Sequence, residues 1–225
     1  MHHADTWCCG FTLNNNEKGS PEAALFGKEG NMLIDISQEV FSSGVYPGDP
    51  SPERVRLQSY EDGSNYSLTA FSMCAHNGTH IDAPYHFIRN GRTVDELGLE
   101  PFVGKCWVAR HDGEVTAEDA AAILEKAESH GAAQRILIAG KAVVTAGAAR
   151  TFAGAGVLLI GGESQTVGPE DAPMEVHLIL LGAGAVLLEG IVLTDVQEGR
   201  YFLSAAPLCL GGSDGAPCRA YLMTE

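Results

Sequence analysis

A strand, helix and strand in the middle of the chain constrain the fold more than any other feature. The apolar runs RILIAG (135–140) and GVLLIGG (156–162) flank TAGAARTFAGA (145–155), an alanine-rich segment with the composition of a short helix. Two strands joined through a helix usually pair in parallel in one sheet. The pattern therefore predicts a βαβ unit and an α/β fold with a partly parallel sheet.

Other elements extend this prediction along the chain. In TAEDAAAILEKAESHG, Thr116 is a good N-cap, acidic residues occupy the first turn, and Gly131 follows the end, so a helix is predicted. Strands are predicted earlier at MLIDIS (32–37), NYSLTAFSMCA (65–75) and KCWVARH (105–111). The C-terminal apolar runs, separated by the Asp214-Gly215 turn, predict antiparallel strands that close the sheet.

Length and composition indicate one domain. The chain has 225 residues, 45% of them hydrophobic, which suffices for one substantial core but hardly for two. Residues 1–31 contain an asparagine run and several glycines without sustained periodicity, so they are predicted to form an irregular N-terminal arm. Residues 32–225 are predicted to form a single domain with a mixed sheet and flanking helices.

Charge and hydropathy narrow the classes of function. The formal net charge of −15 at pH 7 repels phosphate backbones and anionic bilayers, so neither nucleic acid nor membrane partners are expected. The most apolar segment begins with His177 and contains Glu189, which argues against a transmembrane helix. The N-terminus lacks the pattern of a secretory signal, and the cysteines form no C-x-x-C pair. We therefore expect a cytoplasmic protein with reduced thiols.

The run HNGTHIDAPYHF (76–87) concentrates groups that can bind a metal. His76, His80 and Asp82 offer two imidazole nitrogens and a carboxylate, a donor set suited to zinc or manganese. Each one alone has an ordinary structural interpretation, as a hydrogen-bonded core histidine, an exposed loop residue or a turn former. The three together favour a metal site.

An extended segment brings these side chains together better than a helix does. On an α-helix, at about 100° per residue, Asp82 would lie roughly 240° around the axis from His76. In an extended chain alternate side chains share one side, and the candidate positions are all even-numbered. Gly78 and Pro84 would supply the bends that let them converge. A strand that enters a loop is therefore predicted.

The run HNGTHIDAPYHF resembles the H-x-G-T-H-x-D-x-P-x-H-F signature of the cyclase family of metal-dependent hydrolases. The resemblance continues through DIS and YPGD (35–49), EVH (175–177) and LLEG (187–190) to APLCLGGSDGAPCRA, so it covers about residues 32–225. It implies the swivelling β/β/α fold of that family and hydrolysis of an amide bond.

The resemblance also implies ligands for one or two divalent ions per chain. His76, His80 and Asp82 would hold the first ion, and Asp82 would bridge to a second ion that His177 and Glu189 complete. Zinc is the expected metal and manganese the alternative. From the residues alone, His177 is more often a cap or a core histidine, and Glu189 could instead be protonated or hydrogen-bonded. The apolar run between them contains glycines at which the chain can turn.

Further roles follow from the same resemblance. His86 would be the acid/base residue, because an imidazole that titrates near neutrality can pass a proton to the departing nitrogen. Tyr46 and Phe87 would line the substrate pocket. Tyr46 stands where kynurenine-specific members have tryptophan, and Glu163 and Gln165 depart from the pattern of many members, so a different substrate stays open.

The sequence leaves three functions open for a homo-oligomeric protein with a small-molecule substrate. The first is an arylformamidase that acts on N-formylkynurenine or a related aryl formamide in tryptophan catabolism. The second, like isatin hydrolase, opens a cyclic amide or a lactone with the same ligands. The third is a non-catalytic protein that holds a metal or a carboxylate ligand, although a closed structural site needs no free base such as His86. A serine hydrolase is disfavoured, because the nearest match to G-x-S-x-G, at 162–166, lacks the second glycine.

Overall fold

The computed structural model describes residues 24–26 and 32–224. The strands are β1 (Ala24–Phe26), β2 (Met32–Asp35), β3 (Glu53–Gln58), β4 (Leu68–Ser72), β5 (His80–Asp82), β6 (Val103–Arg110), β7 (Gly113–Val115), β8 (Arg135–Ala139), β9 (Ala142–Val144), β10 (Leu159–Gly162), β11 (Val186–Glu189), β12 (Gly199–Ser204), β13 (Gly215–Pro217) and β14 (Tyr221–Met223). The α-helices are α1 (Ala117–Ser129), α2 (Ala146–Gly154) and α3 (Met174–Gly182). The predicted N-terminal arm lies outside the described residues except for β1, which pairs with β2.

Ten strands form one mixed sheet in the order β1-β2-β14-β12-β6-β8-β10-β11-β5-β13. The central strands β6, β8, β10 and β11 run parallel to one another, and the strands on both sides pair antiparallel. Because β8 and β10 pair in parallel and α2 lies between them in sequence, the predicted βαβ unit is confirmed. The antiparallel closure predicted for the C-terminal strands is confirmed in β12 and β14. It is wrong for the first of these apolar runs, which forms β11 and pairs in parallel with β10.

Side chains alternate across the central strands and build one core on each face of the sheet. In β8, Ile136 and Ile138 join the cluster that contains the buried sides of all three α-helices. Leu137 and Ala139 point the other way, into a cluster with residues of β6 and β12. This division follows from the two-residue period of a strand. The parallel strands are therefore covered on both faces and form a rigid support for β11 and β5.

Helix α1 begins and ends where the sequence predicts. The Thr116 side chain accepts a hydrogen bond from the Asp119 backbone, and the Asp119 carboxylate accepts one from the Thr116 backbone, which makes a capping box. Gly131 follows the helix with a φ of +65°, a left-handed conformation that glycine adopts without strain. The three strands predicted before this helix are confirmed as β2, β4 and β6.

Helix α3 has no counterpart among the elements predicted from the sequence. Its apolar residues surround the axis: Val176, Leu180 and Leu181 are buried, whereas Leu178 is exposed. The segment therefore lacks the one-sided periodicity that identifies an amphipathic helix, and no side chain caps its N-terminus at Pro173. Among the described residues, no helix is long and apolar enough to cross a bilayer.

Strands β3 and β4 form an antiparallel hairpin apart from the main sheet. Gln58 is partly buried, and the other residues of the two strands are exposed. Four of the exposed residues, Val55, Leu57, Leu68 and Phe71, are large and apolar. A two-stranded sheet alone is marginally stable in water, so this hairpin is a candidate contact surface.

Candidate metal centre

The HNGTHIDAPYHF run passes through a short buried strand. Strand β5 carries His80 and Asp82, which are 1% and 0% exposed. Gly78 bends the chain before this strand with a φ of +63°, and a Cβ there would lie 2.8 Å from the Cβ of Ser43. Pro84 begins a 3-10 turn directly after the strand. The predicted extended geometry is therefore confirmed, and a helix is excluded.

His76, His80 and Asp82 converge as the sequence predicts. Asp82 Oδ1 lies 2.8 Å from His76 Nδ1 and 3.3 Å from His80 Nε2. The other nitrogen of His80, Nδ1, lies 2.9 Å from the carbonyl oxygen of Gly78, to which it donates a hydrogen bond. This backbone contact orients the His80 ring so that Nε2 faces the cluster.

The second oxygen of Asp82 faces His177 and Glu189, which form a second group with it. Glu189 ends β11, which pairs antiparallel with β5 so that Glu189 lies opposite His80. His177 Nε2 lies 3.4 Å from Asp82 Oδ2 and 3.3 Å from Glu189 Oε1. Between His177 and Glu189 the chain leaves α3 and turns at Gly184, where φ is +85°, so the predicted turn is confirmed.

The spacing of these donor atoms fits a divalent metal. Two atoms bound to one tetrahedral zinc at about 2.0–2.1 Å lie about 3.3–3.4 Å apart, and three of the distances between imidazole nitrogen and carboxylate oxygen are 3.3, 3.4 and 3.3 Å. Asp82 Oδ2 is buried without a hydrogen-bond partner among the described residues, which is costly unless a cation compensates it. The Nδ1 of His177 donates to the carbonyl of Pro173 at 2.9 Å and leaves Nε2 facing the cluster.

Without a metal, the buried carboxylates draw protons onto the imidazoles. Burial opposes protonation of His80, but hydrogen bonds and Coulombic attraction from Asp82 and Glu189 raise its pKa from 6.5 to about 10. The same opposing effects raise the pKa of His177 to about 10. Burial opposes ionisation of Asp82, yet the neighbouring imidazoles of His177, His76 and His80 hold its pKa well below the usual range. A bound cation would take the place of these protons.

His86 lies beside the two clusters. Its ring stacks on His76 with centroids 4.0 Å apart, and its Nδ1 is 3.2 Å from Asp214 Oδ2. Burial lowers the pKa of His86 below 6.5, so the ring is mainly neutral at pH 7 and can accept a proton. In the sequence, Asp214 has no predicted role beyond a turn, because nothing in the local pattern connects it with histidines more than a hundred residues away.

A pocket of about 450 Å³ opens over both clusters, and Tyr46 and Phe87 line it as predicted. The Tyr46 hydroxyl donates a hydrogen bond to the Glu170 carbonyl at 2.7 Å, which joins the loop before β3 to the loop before α3. A larger surface groove of about 510 Å³ includes none of the candidate ligands; Arg135, which lines it, donates to backbone carbonyls. The metal-binding and catalytic roles themselves stay predictions.

Comparison with known proteins places this chain in a family. The family model described as "Putative cyclase" matches residues 34–167, which is more than half of the chain. The chain belongs to the cyclase family. The kynurenine formamidase of Salinibacter ruber is 35% identical over 204 residues, covering 84% of this chain and 96% of that protein. That of Paracidovorax citrulli is 32% identical over 209 residues, covering 86% of this chain and 97% of that protein.

Solved structures agree with the fold of this cyclase-family chain. A protein of Bacillus stearothermophilus, described as a "predicted metal-dependent hydrolase", has a TM-score of 0.71 at 28% identity and covers 87% of this chain and 99% of its own. Isatin hydrolase A from Labrenzia aggregata has a TM-score of 0.74 at 23% identity, covering 86% of this chain and 94% of its own. At this low identity, the match to isatin hydrolase A shows only a shared fold. The mixed α/β fold expected of the family is confirmed.

Proposed function

We propose that the chain is a metal-dependent hydrolase that cleaves the C–N bond of an aryl formamide, with N-formylkynurenine as the leading substrate. The observation that carries this proposal is the pair of ligand clusters that share Asp82 beneath a pocket with aromatic walls. The relatives named kynurenine formamidase match most of the chain, which supports this substrate class and a place in tryptophan catabolism.

The proposed cofactor is one or two divalent ions per chain, with zinc the first candidate and manganese the second. Three imidazoles and two carboxylates are typical of zinc sites, although manganese accepts the same oxygen and nitrogen donors. His76, His80 and Asp82 would hold one ion, and Asp82, His177 and Glu189 the other. Bound there, a divalent metal would polarise the amide carbonyl and lower the pKa of a water molecule.

His86 is the proposed proton-transfer residue. Its Nδ1 faces Asp214, so Nε2 is the nitrogen left to face a substrate in the pocket that His86 lines. The neutral ring takes a proton from the attacking water and delivers it to the aryl nitrogen as the C–N bond breaks. Formate and an arylamine are the products.

The pocket supports a small aromatic substrate. Its volume of about 450 Å³ falls within the range of small-molecule sites, about 300–1,000 Å³. Tyr46 and Phe87 offer aromatic surfaces, and rings that stack or meet edge-on gain about 0.5–1.5 kcal/mol beyond burial of their area. This feature favours an aryl amide over an aliphatic one.

The second candidate is hydrolysis of a cyclic amide or a lactone. The aromatic pocket also suits a cyclic aryl amide, and the proposed ligands serve both reactions. A non-catalytic metal-holding protein is disfavoured, because His86 lies beside the metal-ligand clusters and its Nε2 has no hydrogen-bond partner among the described residues.

We further propose that the chain is a homodimer in which the β3–β4 hairpin contacts the partner. Val55, Leu57 and Phe71 expose 56%, 53% and 59% of their surface, although Phe71 also meets Phe41 edge-on. The hairpin carries a net charge of −1, and its Arg56 is paired with Glu61. Its exposed apolar side chains, and not its charge, therefore support the proposed contact with a second copy.

Sedimentation equilibrium tests the proposed dimer. Val55→Asp and Phe71→Asp should give monomers, whereas Leu99→Asp, a matched change at an apolar residue that is 68% exposed outside the hairpin, should remain dimeric. A monomeric wild type would exclude the dimer, and dimeric hairpin variants would exclude this surface.

A reconstitution assay tests the proposed activity. Chelator-treated enzyme is reloaded with zinc or manganese and assayed on N-formylkynurenine, formanilide, isatin and a lactone. We expect the treated enzyme to be inactive and the reloaded enzyme to cleave the aryl formamides fastest. Preference for isatin or the lactone would support the second candidate, and full activity of verified metal-free enzyme would contradict metal dependence.

A further inference from the structure

A turn far from the ligand motif places a carboxylate between two of the histidines. Asp214 Oδ2 lies 2.8 Å from His76 Nε2 and 3.2 Å from His86 Nδ1. The two rings stack with their planes 28° apart, so one oxygen can accept a hydrogen bond from each. We propose that Asp214 is a positioning residue that fixes the tautomers of His76 and His86; this inference rests on the proposed function.

The contact with the ionised carboxylate of Asp214 determines which nitrogen of each ring carries hydrogen. An ionised aspartate only accepts hydrogen bonds, so His76 carries hydrogen on Nε2 and His86 carries hydrogen on Nδ1. The nitrogens left without hydrogen in the neutral rings are then Nδ1 of His76 and Nε2 of His86. The first faces Asp82 in the metal cluster, and the second is the nitrogen that the proposed proton transfer needs.

Asp214 opposes a competing arrangement of the His76 ring. Asp82 Oδ1 lies 2.8 Å from His76 Nδ1 and would itself accept a hydrogen bond from that nitrogen. A neutral His76 with hydrogen on Nδ1 has no lone pair there for a metal. By accepting a hydrogen bond at the opposite nitrogen, Asp214 favours the tautomer that can bind.

The backbone around Asp214 is held to the ligand strand. Strand β13 pairs with β5 so that Gly215 lies opposite Asp82, and the Ala83 backbone donates to the Asp214 carbonyl at 2.9 Å. A Cβ at Gly215 would lie 2.7 Å from His76 Cε1, so a glycine is needed for the ring to approach. These contacts fix the backbone from which the Asp214 side chain projects.

The side chain of Asp214 can be changed with little risk to folding. It is 41% exposed, and the strand pairing and the hydrogen bond to Ala83 use only backbone atoms. Asp95 offers a matched control in the same region, because its carboxylate accepts a hydrogen bond from the Gly212 backbone without touching a histidine. Asp95→Ala therefore removes a carboxylate that supports this loop and leaves the imidazoles intact.

The test compares Asp214→Ala, Asp214→Asn and Asp95→Ala with the wild type. Zinc affinity is measured by competition with a chelator, and kcat and KM are measured at saturating zinc. Loss of an outer contact to a metal-bound histidine typically costs about 10- to 100-fold in affinity or activity. We expect that loss in zinc affinity and in kcat for Asp214→Ala, with KM and the stoichiometry at saturating zinc unchanged.

The isosteric Asp214→Asn separates positioning from a structural role. An asparagine keeps the size and turn propensity of aspartate, but its amide can donate to an imidazole and so select the wrong tautomer. We expect it to be as defective as Asp214→Ala, while Asp95→Ala keeps wild-type affinity and kcat. Wild-type behaviour of either Asp214 variant would overturn the proposal, and loss of a zinc equivalent at saturation would make Asp214 a ligand instead.

A spectroscopic measurement needs no activity. Long-range ¹H–¹⁵N spectra of the zinc-loaded wild type should show His76 with hydrogen on Nε2 and His86 with hydrogen on Nδ1. The opposite tautomer at either ring would overturn the inference even if the Asp214 variants do not fold. A wild type in which His76 and His86 each show the expected tautomer but which hydrolyses no amide would contradict the proposed function. The role of Asp214 would then remain intact.

Discussion

Metal binding by this site should release protons, and the structure indicates how many. In the metal-free cluster the pKa values of His80 and His177 are about 10, because Asp82 and Glu189 stabilise the imidazolium forms more than burial destabilises them. At pH 7, well below these values, both rings are therefore mainly protonated. Metals bind the neutral imidazole, so each ion must displace a proton.

The number of displaced protons determines how steeply metal affinity rises with pH. Each displaced proton makes metal affinity rise about tenfold per pH unit, or about 1.4 kcal/mol, as long as the pH stays below the pKa. The affinity for the ion held by His177 should rise with pH at a slope of about one proton per ion. The slope for the ion held by His76 and His80 should exceed one proton, because hydrogen bonding and attraction from Asp82 outweigh burial and raise the pKa of His76 as well.

Isothermal titration calorimetry counts the protons directly. Zinc is titrated into stripped enzyme at pH 7 in two weakly coordinating buffers of different ionisation enthalpy, and the difference in heat gives the number released. His177→Ala should release about one proton fewer because its imidazole is missing. A binding heat independent of the buffer, with affinity constant between pH 6 and 8, would refute the reasoning.

Four further predictions concern individual residues. Asp82→Ala should lose most of both metal equivalents by plasma emission, because its two oxygens face separate clusters; unchanged metal content would contradict a bridging role. His86→Ala should keep its metal and lose about 10²- to 10⁴-fold in rate, and loss of metal would instead make His86 a ligand. Tyr46→Ala should weaken the binding of aryl amides more than that of aliphatic amides, by about 0.5–1.5 kcal/mol. Tyr46→Phe is the control, because it keeps the ring. Equal losses of binding for both classes of amide would show that Tyr46 does not contact the substrate. One metal equivalent should be lost, and a similar residual activity kept, in each of the variants His177→Ala, Glu189→Gln and the double variant. If the double variant instead multiplies the activity losses of the two single variants and the metal stoichiometry stays unchanged, the second site is excluded.

The parts of the site that sequence analysis predicts are those that depend on local geometry. His76, His80 and Asp82 lie within seven residues, so the period of an extended chain decides which side they share. The fold class follows for the same reason, because the pattern around α2 specifies a parallel strand pair through a short connection. Capping at Thr116 also acts within one helical turn.

The parts that escape prediction depend on contacts between distant segments. Helix α3 is apolar on all sides, so periodicity gives no sign of the helix that carries His177. Asp214 reads as a turn residue, since its approach to His76 depends on pairing between β13 and β5 and on the missing side chain of Gly215. A pattern in one sequence does not encode the register between two short strands that lie far apart.

Strand register explains how a three-residue strand comes to serve both clusters. β5 lies between β11 and β13; the first places Glu189 opposite His80, and the second places the residue after Asp214 opposite Asp82. A slip of one residue in either pair would turn the arriving side chain to the other face. At the β11 side, Gly190 follows the strand with a φ of +65°, and a Cβ there would lie 2.2 Å from the Gly78 carbonyl oxygen. The glycines beside β5 are therefore part of the metal site, because they allow the backbones that carry the ligands to approach this closely.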